Sequence, residues 1–276
     1  TKIRDAFIHQ AVLDVIDLDV MDSRPCVVYL NGEYWGLYNI REKVNEDYLA
    51  SHYGVDPDQV DILVYNGKIL AGSDEDYRAL LQYVGTHDMR EQEYYDYVAS
   101  QIDIDNLIDY LIVQSYFGNT DHGNIKYWRE QDGGKWRWVL YDLDWALFKG
   151  THTWNNIREI FNPDGMGAAN RIDTTLHVEL LKNEHFREEF IRRYALYINT
   201  HFSPERLLPI FDAMIAEIES EMQRQENRWP NNWGAWVDHV GFVRQIIQEK
   251  PEIEKNNLQD FFSLSDEEMQ ELFPGD

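Results

Sequence analysis

The chain carries, at residues 103–144, the segment DIDNLIDYLIVQSYFGNTDHGNIKYWREQDGGKWRWVLYDLD. The first third of this segment spaces apolar side chains as one face of a helix, and the face consists of Ile104, Leu107, Ile108, Leu111, Ile112 and Ser115. An Asp at 103 or 105 can cap the start of this helix, and Gly118 stands where a C-terminal cap is expected. The pattern therefore predicts a buried helix that ends just before residue 118.

A polar loop and a β-hairpin are predicted to follow this helix. The loop is residues 119–124, with the sequence NTDHGN. The hairpin consists of a strand at 125–129, a tight turn at 132–134 and a second strand at 135–141. Because a hairpin returns the chain to the edge where it began, Asp121 and Asn124 at its entrance are predicted to lie near Asp142 at its exit.

Two carboxylates and an amide in one cleft are the groups that phosphoryl transfer requires. One carboxylate can orient an attacking hydroxyl and accept its proton, while the other carboxylate and the amide oxygen hold a hard metal ion. Oxygen ligands favour Mg²⁺, Mn²⁺ or Ca²⁺ over zinc. Protein kinases order their catalytic Asp, Asn and metal-binding Asp in this way around two strands. The alternative is structural, with Asp121 and Asn124 as turn residues and Asp142 as a strand-end cap.

The residues before this segment predict a mixture of helices and short strands. A second hairpin is predicted from 26–30 and 33–40, because Asn31-Gly32 between them is a strong type I′ turn signal. The other predicted elements are helices at 3–17, 44–53, 74–84 and 88–100 and a short strand at 60–65.

The residues after the segment predict a long loop and then almost only helix. The loop spans 149–174 and is rich in Gly, Asn, Asp and Thr, and ordered loops of this length are usually functional. The helices are predicted at 175–183, 184–201, 204–228 and 236–249. The whole chain is therefore expected to have an α+β fold.

The charge balance limits the partners of the chain. Its 276 residues carry a formal net charge of −25, which repels nucleic acid and favours a basic protein partner. No apolar run is long enough to span a bilayer, so no membrane span is expected. A bound anionic nucleotide would need a divalent metal and a local group of cations.

Several blocks of the sequence resemble the spore coat protein H (CotH) kinases, which are atypical protein kinases. Ile3–Phe7 is similar to the family's first helix, and Tyr29–Tyr38 followed by Glu42 is similar to its hairpin motif. Residues 119–128 resemble its catalytic loop, and residues 138–144 resemble its metal-binding motif. The helical tail is similar as well, so the resemblance covers most of the chain.

The resemblance implies an atypical protein-kinase-like fold that uses ATP and a divalent metal to phosphorylate Ser or Thr in proteins. It makes Asp121 the catalytic base and gives the metal to Asp142 and Asn124, with Asp144 as a further metal candidate. The nucleotide-binding candidates that it implies are Glu42, Lys126 and Arg4. Arg4 can instead bridge helices, and Lys126 can instead face solvent.

The resemblance also implies an organisation and a setting. We expect a single kinase-like domain with a small β-containing N-terminal part at 1–100 and a larger, mainly helical catalytic lobe at 101–276. A spore coat, cell envelope or secreted location is implied. The family's upstream Gly-Asn-Ser segment and its lysines, which cover ATP, do not occur in this chain. A non-catalytic pseudokinase or a surface and spore-coat assembly protein therefore remains an alternative.

Two further groups of residues suggest other functions. His122 beside Asp121 suggests an acid–base pair, although neighbours in a loop need not face each other. Trp229, Trp233 and Trp236 lie on a polar segment, and exposed indoles in one plane would favour a carbohydrate-binding module. Packing of that segment against helices is the plainer interpretation.

Overall fold

The computed structural model describes residues 2–167, 171–230 and 234–275. The helices are α1 Arg4–Val12, α2 Glu46–Tyr53, α3 Glu75–Val84, α4 Gln92–Gln101, α5 Ile104–Phe117, α6 Asn156–Ile160, α7 Thr175–Leu180, α8 Glu184–Asn199, α9 Pro204–Arg228, α10 Trp236–Phe262 and α11 Asp266–Leu272. The strands are β1 Ser23–Leu30, β2 Glu33–Arg41, β3 Val60–Val64, β4 Lys68–Ala71, β5 Lys126–Glu130 and β6 Arg137–Val139. The expected α+β class is confirmed.

The strands form two antiparallel sheets. β1 and β2 make a separate hairpin, in which Asn31 and Gly32 both have positive φ, as a type I′ turn requires. The other sheet has the order β4-β3-β5-β6, so the predicted β5–β6 hairpin lies beside β3. This sheet joins strands from both sides of residue 100. The division at that residue stays a prediction.

Helix α5 runs through the core and ends just before the loop of the candidate site. Every residue from Asn106 to Phe117 is buried, and the side chain of Asp103 caps the first turn by accepting a hydrogen bond from the backbone of Asn106. Gly118 ends the helix in the left-handed conformation, as predicted. The apolar cluster around α5 contains residues from Ile3 to Phe273, so this core reaches both the sheet and the helical part, and a second, smaller cluster packs on the sheet.

Two of the predictions for the helical part were wrong, and one helix was missed. The loop predicted at 149–174 contains α6, whose Ile157 and Ile160 are buried. Helix α10 continues through Pro251 to Phe262 because Glu254 and Leu258 on its far side are fully buried. Helix α11 was not predicted, although its capping box at Ser265 and Glu268 is a recognisable sequence signal.

None of the helices in the described ranges is long and apolar enough to cross a membrane.

We expect Gly118→Ala to destabilise the fold more than Gly133→Ala. Both glycines have positive φ, and an alanine at either position strains the backbone, which should lower the free energy of unfolding of the protein by about 1–2 kcal/mol. A Cβ at Gly118 would also lie 3.1 Å from Asn156 Nδ2, whereas a Cβ at Gly133 meets open space. Urea unfolding should show about 1 kcal/mol more loss for Gly118→Ala. Equal losses would mean that the Asn156 side chain moves aside freely.

Candidate active site

A buried asparagine, Asn119, holds the loop after α5 in place through two hydrogen bonds. Asn119 Nδ2 donates to Gln114 Oε1 at 3.0 Å, and Asn119 Oδ1 accepts a hydrogen bond from the backbone of Asp121 at 3.2 Å. Asn119 is only 2% exposed, and its bond to Gln114 is buried. The position of Asp121 is thereby tied to the end of a core helix.

The structure brings together the three side chains predicted to form the centre of the site. Asn124 Nδ2 lies 3.0 Å from Asp121 Oδ2 and 2.9 Å from Asp142 Oδ2, so one amide bridges the two carboxylates. The bridge forms because Asn124 precedes β5 and Asp142 follows β6, and these strands pair with each other. Their roles in metal binding and catalysis stay predictions.

Asp142 is held in an unfavourable backbone conformation among other acids. Its φ is +52°, in the left-handed region that residues other than glycine seldom adopt. Burial raises the pKa of its carboxyl, and the charges of Asp144, Asp5 and Asp121 raise it further against the opposing charge of Arg41. Strained backbone and crowded like charges both occur preferentially at functional sites.

The donor atoms of this group fit a hard divalent cation. Asp121 and Asp142 offer carboxylate oxygens, and a half-turn of the Asn124 amide exchanges its nitrogen for its oxygen. No set of three or more His, Cys, Asp or Glu side chains within the described ranges is arranged to hold a metal. Two carboxylates and an amide suit Mg²⁺, which usually keeps water or phosphate oxygens as its remaining ligands.

An open cleft of about 360 Å³ adjoins Asp142. One wall is the segment that follows β2, and the opposite wall comes from the β5–β6 hairpin. Arg41, Lys43 and Lys126 line this cleft, so cations are concentrated beside Asp142 in a chain whose net charge is −25. Arg41 and Lys43 were not among the predicted site residues, and only their adjacency to Glu42 could have indicated them.

Lys126 lies in the wall of the cleft rather than on the outer surface. Its Nζ donates to the carbonyl of Val44 at 3.0 Å and lies 4.4 Å from the centre of the Tyr141 ring. Burial lowers the pKa of the Lys126 ammonium, and the charge of Lys43 lowers it further. An ammonium has three donors, so the contact with Val44 leaves donors for an anion.

Glu42 also lines the cleft, but its carboxylate is engaged locally. Its Oε2 accepts from the backbone of Asp22 at 2.8 Å, and its Oε1 lies 2.7 Å from His52 Nε2. Partial burial raises the pKa of Glu42, but these two partners outweigh that effect and the net shift is downward. The structure therefore places Glu42 next to the candidate nucleotide cleft, with His52 as its cationic partner when His52 is protonated.

Arg4 and Asp144 lie on the other side of Asp142. Arg4 donates to the carbonyl of Ala146 at 3.3 Å and stacks over Phe148, so it links α1 to the loop after β6. Burial lowers the pKa of Arg4, and the charge of Asp144 acts against this. Arg4 is not part of the cleft lining, and these contacts join a helix to a loop rather than to another helix, so both interpretations of Arg4 stay predictions. Asp144 is exposed.

The sequence also suggested roles for His122 and for three tryptophans, and the described ones among these residues lie in different environments. Burial lowers the pKa of His122, with the charges of Glu159 and Asp121 opposing, and the carboxylate of Asp121 pairs with Asn124 instead. Trp229 is 41% exposed and donates to the carbonyl of Trp35, whereas Trp236 is buried. These two indoles therefore do not form one exposed plane. Trp233 lies outside the described residues.

Comparison with known proteins identifies the family. The family model described as CotH kinase protein matches residues 1–253, which include α1, both sheets, the candidate site and most of the helical part. No curated protein sequence gave a significant match to the chain. The match covers far more than half of the chain, and the resemblance seen in the sequence is confirmed. The chain belongs to the CotH kinase protein family.

Proposed function

We propose that the chain is an ATP-dependent protein kinase that phosphorylates Ser or Thr hydroxyl groups. The observation that supports this most strongly is the Asn124 amide bridging Asp121 and Asp142 at the edge of a cation-lined cleft. Kinase-like function follows from the family, while the nucleotide, the acceptor and the residue roles are the proposal.

Asp121 is assigned to the acceptor hydroxyl. Its carboxylate would orient the hydroxyl and take its proton as the acceptor oxygen bonds to the γ-phosphorus and the bond to the β-phosphate oxygen breaks. The contacts of the buried Asn119 support this role because they fix the backbone of Asp121 before any substrate arrives. A base that is already oriented avoids part of the entropy loss on reaching the transition state.

Asp142 and Asn124 are assigned to the divalent metal, with Asp144 as an additional candidate. A bound Mg²⁺ or Mn²⁺ would supply positive charge that neutralises the phosphates. The crowding of Asp142 by three other carboxyls supports this role, because a cation would relieve their repulsion.

The phosphates are assigned to the cationic wall of the cleft. Lys126, Arg41 and Lys43 lie there, and Lys126 already projects its ammonium beside the ring of Tyr141. Without these cations, the net charge of −25 would oppose the binding of an anionic nucleotide. Glu42, which pairs with His52, is given a structural role: it holds the segment that forms this wall. Arg4 is assigned to the support of the loop after Asp142.

We further propose that the protein substrate is basic near its acceptor. Asp144 is exposed beside Asp142, and Glu159 lies close enough to His122 to act on its pKa. Acidic groups near an acceptor position favour substrates with Lys or Arg close to the Ser or Thr. The CotH family suggests association with a spore coat, and the cell envelope and a secreted location are the other settings that we propose.

The rival proposal is a non-catalytic relative that keeps the fold and assembles at a surface. The bridge between Asp121, Asn124 and Asp142 is compatible with this rival too, because its hydrogen bonds can serve the loop structure alone. The two proposals differ in one measurable property, which is the transfer of phosphate to a protein.

Labelling with γ-phosphate-labelled ATP and Mg²⁺ should show transfer to a peptide that has one Ser flanked by Lys and Arg. A matched peptide with Glu and Asp in the flanks should be labelled about tenfold more slowly because of charge repulsion. The same basic peptide with Ala in place of Ser is the control and should stay unlabelled. Labelling of neither Ser peptide, with ATP still bound, would favour the non-catalytic rival. Equal labelling would overturn the proposed basic substrate.

A further inference from the structure

The N-terminal helix reaches the candidate site through one buried carboxylate. Asp5 on α1 is 8% exposed, and its Oδ1 accepts a hydrogen bond from the backbone N–H of Leu143 at 2.7 Å. Leu143 directly follows Asp142. The contact joins residues that are 138 positions apart in the chain, so no local sequence pattern indicates it.

This hydrogen bond acts on the peptide unit that follows Asp142, a site residue with a left-handed backbone. A left-handed φ at a residue other than glycine persists only where surrounding contacts hold it, at roughly 1–3 kcal/mol. The N–H that Asp5 fixes belongs to the peptide unit whose carbonyl is that of Asp142. Asp5 therefore restrains the orientation of Asp142 directly from the core side.

The second oxygen of Asp5 faces the cleft wall. Arg41 Nη1 forms an ion pair with Asp5 Oδ2, and Arg41 is one of the cations that line the cleft. Arg41 Nε and Nη2 are buried and have no hydrogen-bond partner among the described residues. Asp5 is thus the contact that locates Arg41, and two guanidinium nitrogens keep donors that no described residue uses.

Asp5 remains ionised despite its burial. Burial raises the pKa of its carboxyl, but His9, the Leu143 N–H and Arg41 together outweigh this, and the net shift is downward. His9 Nε2 lies 3.6 Å from Asp5 Oδ1, and His9 Nδ1 accepts from the backbone of Met21 at 3.1 Å. The negative charge that Arg41 requires is therefore present at neutral pH.

We propose that Asp5 is a positioning residue that holds Asp142 and Arg41 in their relative places across the nucleotide site. One oxygen restrains the metal-binding candidate through Leu143, and the other restrains a phosphate-binding candidate. The importance of this arrangement for ATP rests on the proposed function, whereas the restraint on the loop does not.

Two variants separate the two contacts. Asp5→Asn keeps an oxygen for the Leu143 N–H but turns an amide towards Arg41 and removes the charge. Asp5→Ala removes both contacts. Asp109→Ala is the matched control, because Asp109 is 4% exposed and paired with Arg193 and Tyr197 at the contact between α5 and α8.

Hydrogen exchange at the Leu143 amide, relative to the amides of α3, tests the restraint without any ligand. Asp5→Ala should speed this exchange at least about tenfold, since about 1.4 kcal/mol of local opening free energy corresponds to a factor of ten. Asp5→Asn should restore most of the protection, and Asp109→Ala should not change the Leu143 amide selectively. Unchanged exchange in Asp5→Ala would overturn the proposal.

Titration with ATP and Mg²⁺ then tests the consequence for the site. Asp5→Ala should weaken binding at least about thirtyfold, and Asp5→Asn about three- to tenfold because only the Arg41 contact is lost. Full affinity in Asp5→Ala would overturn the positioning of nucleotide-binding groups. Altered Leu143 exchange in Asp5→Ala, with no ATP binding by the unmodified chain, would support the restraint and overturn the proposed function instead.

Discussion

Replacing Asp121 by Asn is expected to lower the rate of phosphotransfer strongly and to leave the affinity for ATP almost unchanged. General-base catalysis by a positioned side chain contributes about 10²–10⁴ in rate, so turnover at saturating ATP should fall by that factor. ATP affinity in the presence of Mg²⁺ should change by less than about threefold, because this assignment gives Asp121 the acceptor and not the nucleotide. Single-turnover labelling and calorimetric titration of the same preparation measure the two quantities.

The control for this variant is His122→Asn at the adjacent position. Burial lowers the pKa of His122, which leaves a neutral imidazole, and its ring is not the partner of the Asp121 carboxylate. Turnover in His122→Asn should stay within about tenfold of the unmodified chain, well below the effect of a lost general base. A larger loss in His122→Asn than in Asp121→Asn would contradict the assignment and make the histidine the base.

Replacing Asp142 by Asn is expected to cause the largest loss of metal-dependent ATP binding. Asn tolerates the left-handed φ of this position better than Ala does, so the backbone should keep its shape. Loss of the charged metal ligand should weaken binding of ATP with Mg²⁺ at least about a hundredfold and stop labelling. Binding in the absence of metal should be the same in the variant and the unmodified chain.

Asp142→Asn should not weaken the fold, which distinguishes it from an unfolding variant. The pKa of Asp142 is raised in the folded chain, mainly by burial and then by Asp144, Asp5 and Asp121. A raised carboxyl pKa means that the ionised form destabilises the fold once the pH exceeds the unfolded value, so removing that charge should leave the melting temperature unchanged or higher. Asp144→Asn is the matched control and should reduce ATP affinity less than Asp142→Asn does.

Contacts within one stretch of chain made much of the fold predictable. Asn31-Gly32 indicated the first hairpin, an Asp at 103 or 105 and Gly118 indicated the two ends of α5, and all of these act on their immediate neighbours. The continuation of α10 through Pro251 was not predictable in this way. It depends on the burial of Glu254, which accepts from Tyr194 on α8 at 2.7 Å.

In the candidate site, too, the local contacts could be predicted from the sequence and the distant ones could not. The hairpin between Asn124 and Asp142 is a local feature, so their proximity followed from the pattern of two strands and a turn. The contact of Asp5 with Leu143 and its ion pair with Arg41 join three distant segments, and only the folded chain shows them. The chemical roles required the family resemblance in addition, because turn residues and catalytic residues share the same sequence signals.

The central claim is that the cleft beside Asp142 binds ATP through a divalent metal, and a calorimetric titration tests it most directly. The purified chain is titrated with ATP in the presence of Mg²⁺, in the presence of a chelator, and as the Asp142→Asn variant. We predict saturable binding with Mg²⁺ that disappears with the chelator and is strongly weakened in the variant. No binding with either Mg²⁺ or Mn²⁺, or equal binding in all three titrations, would contradict the claim.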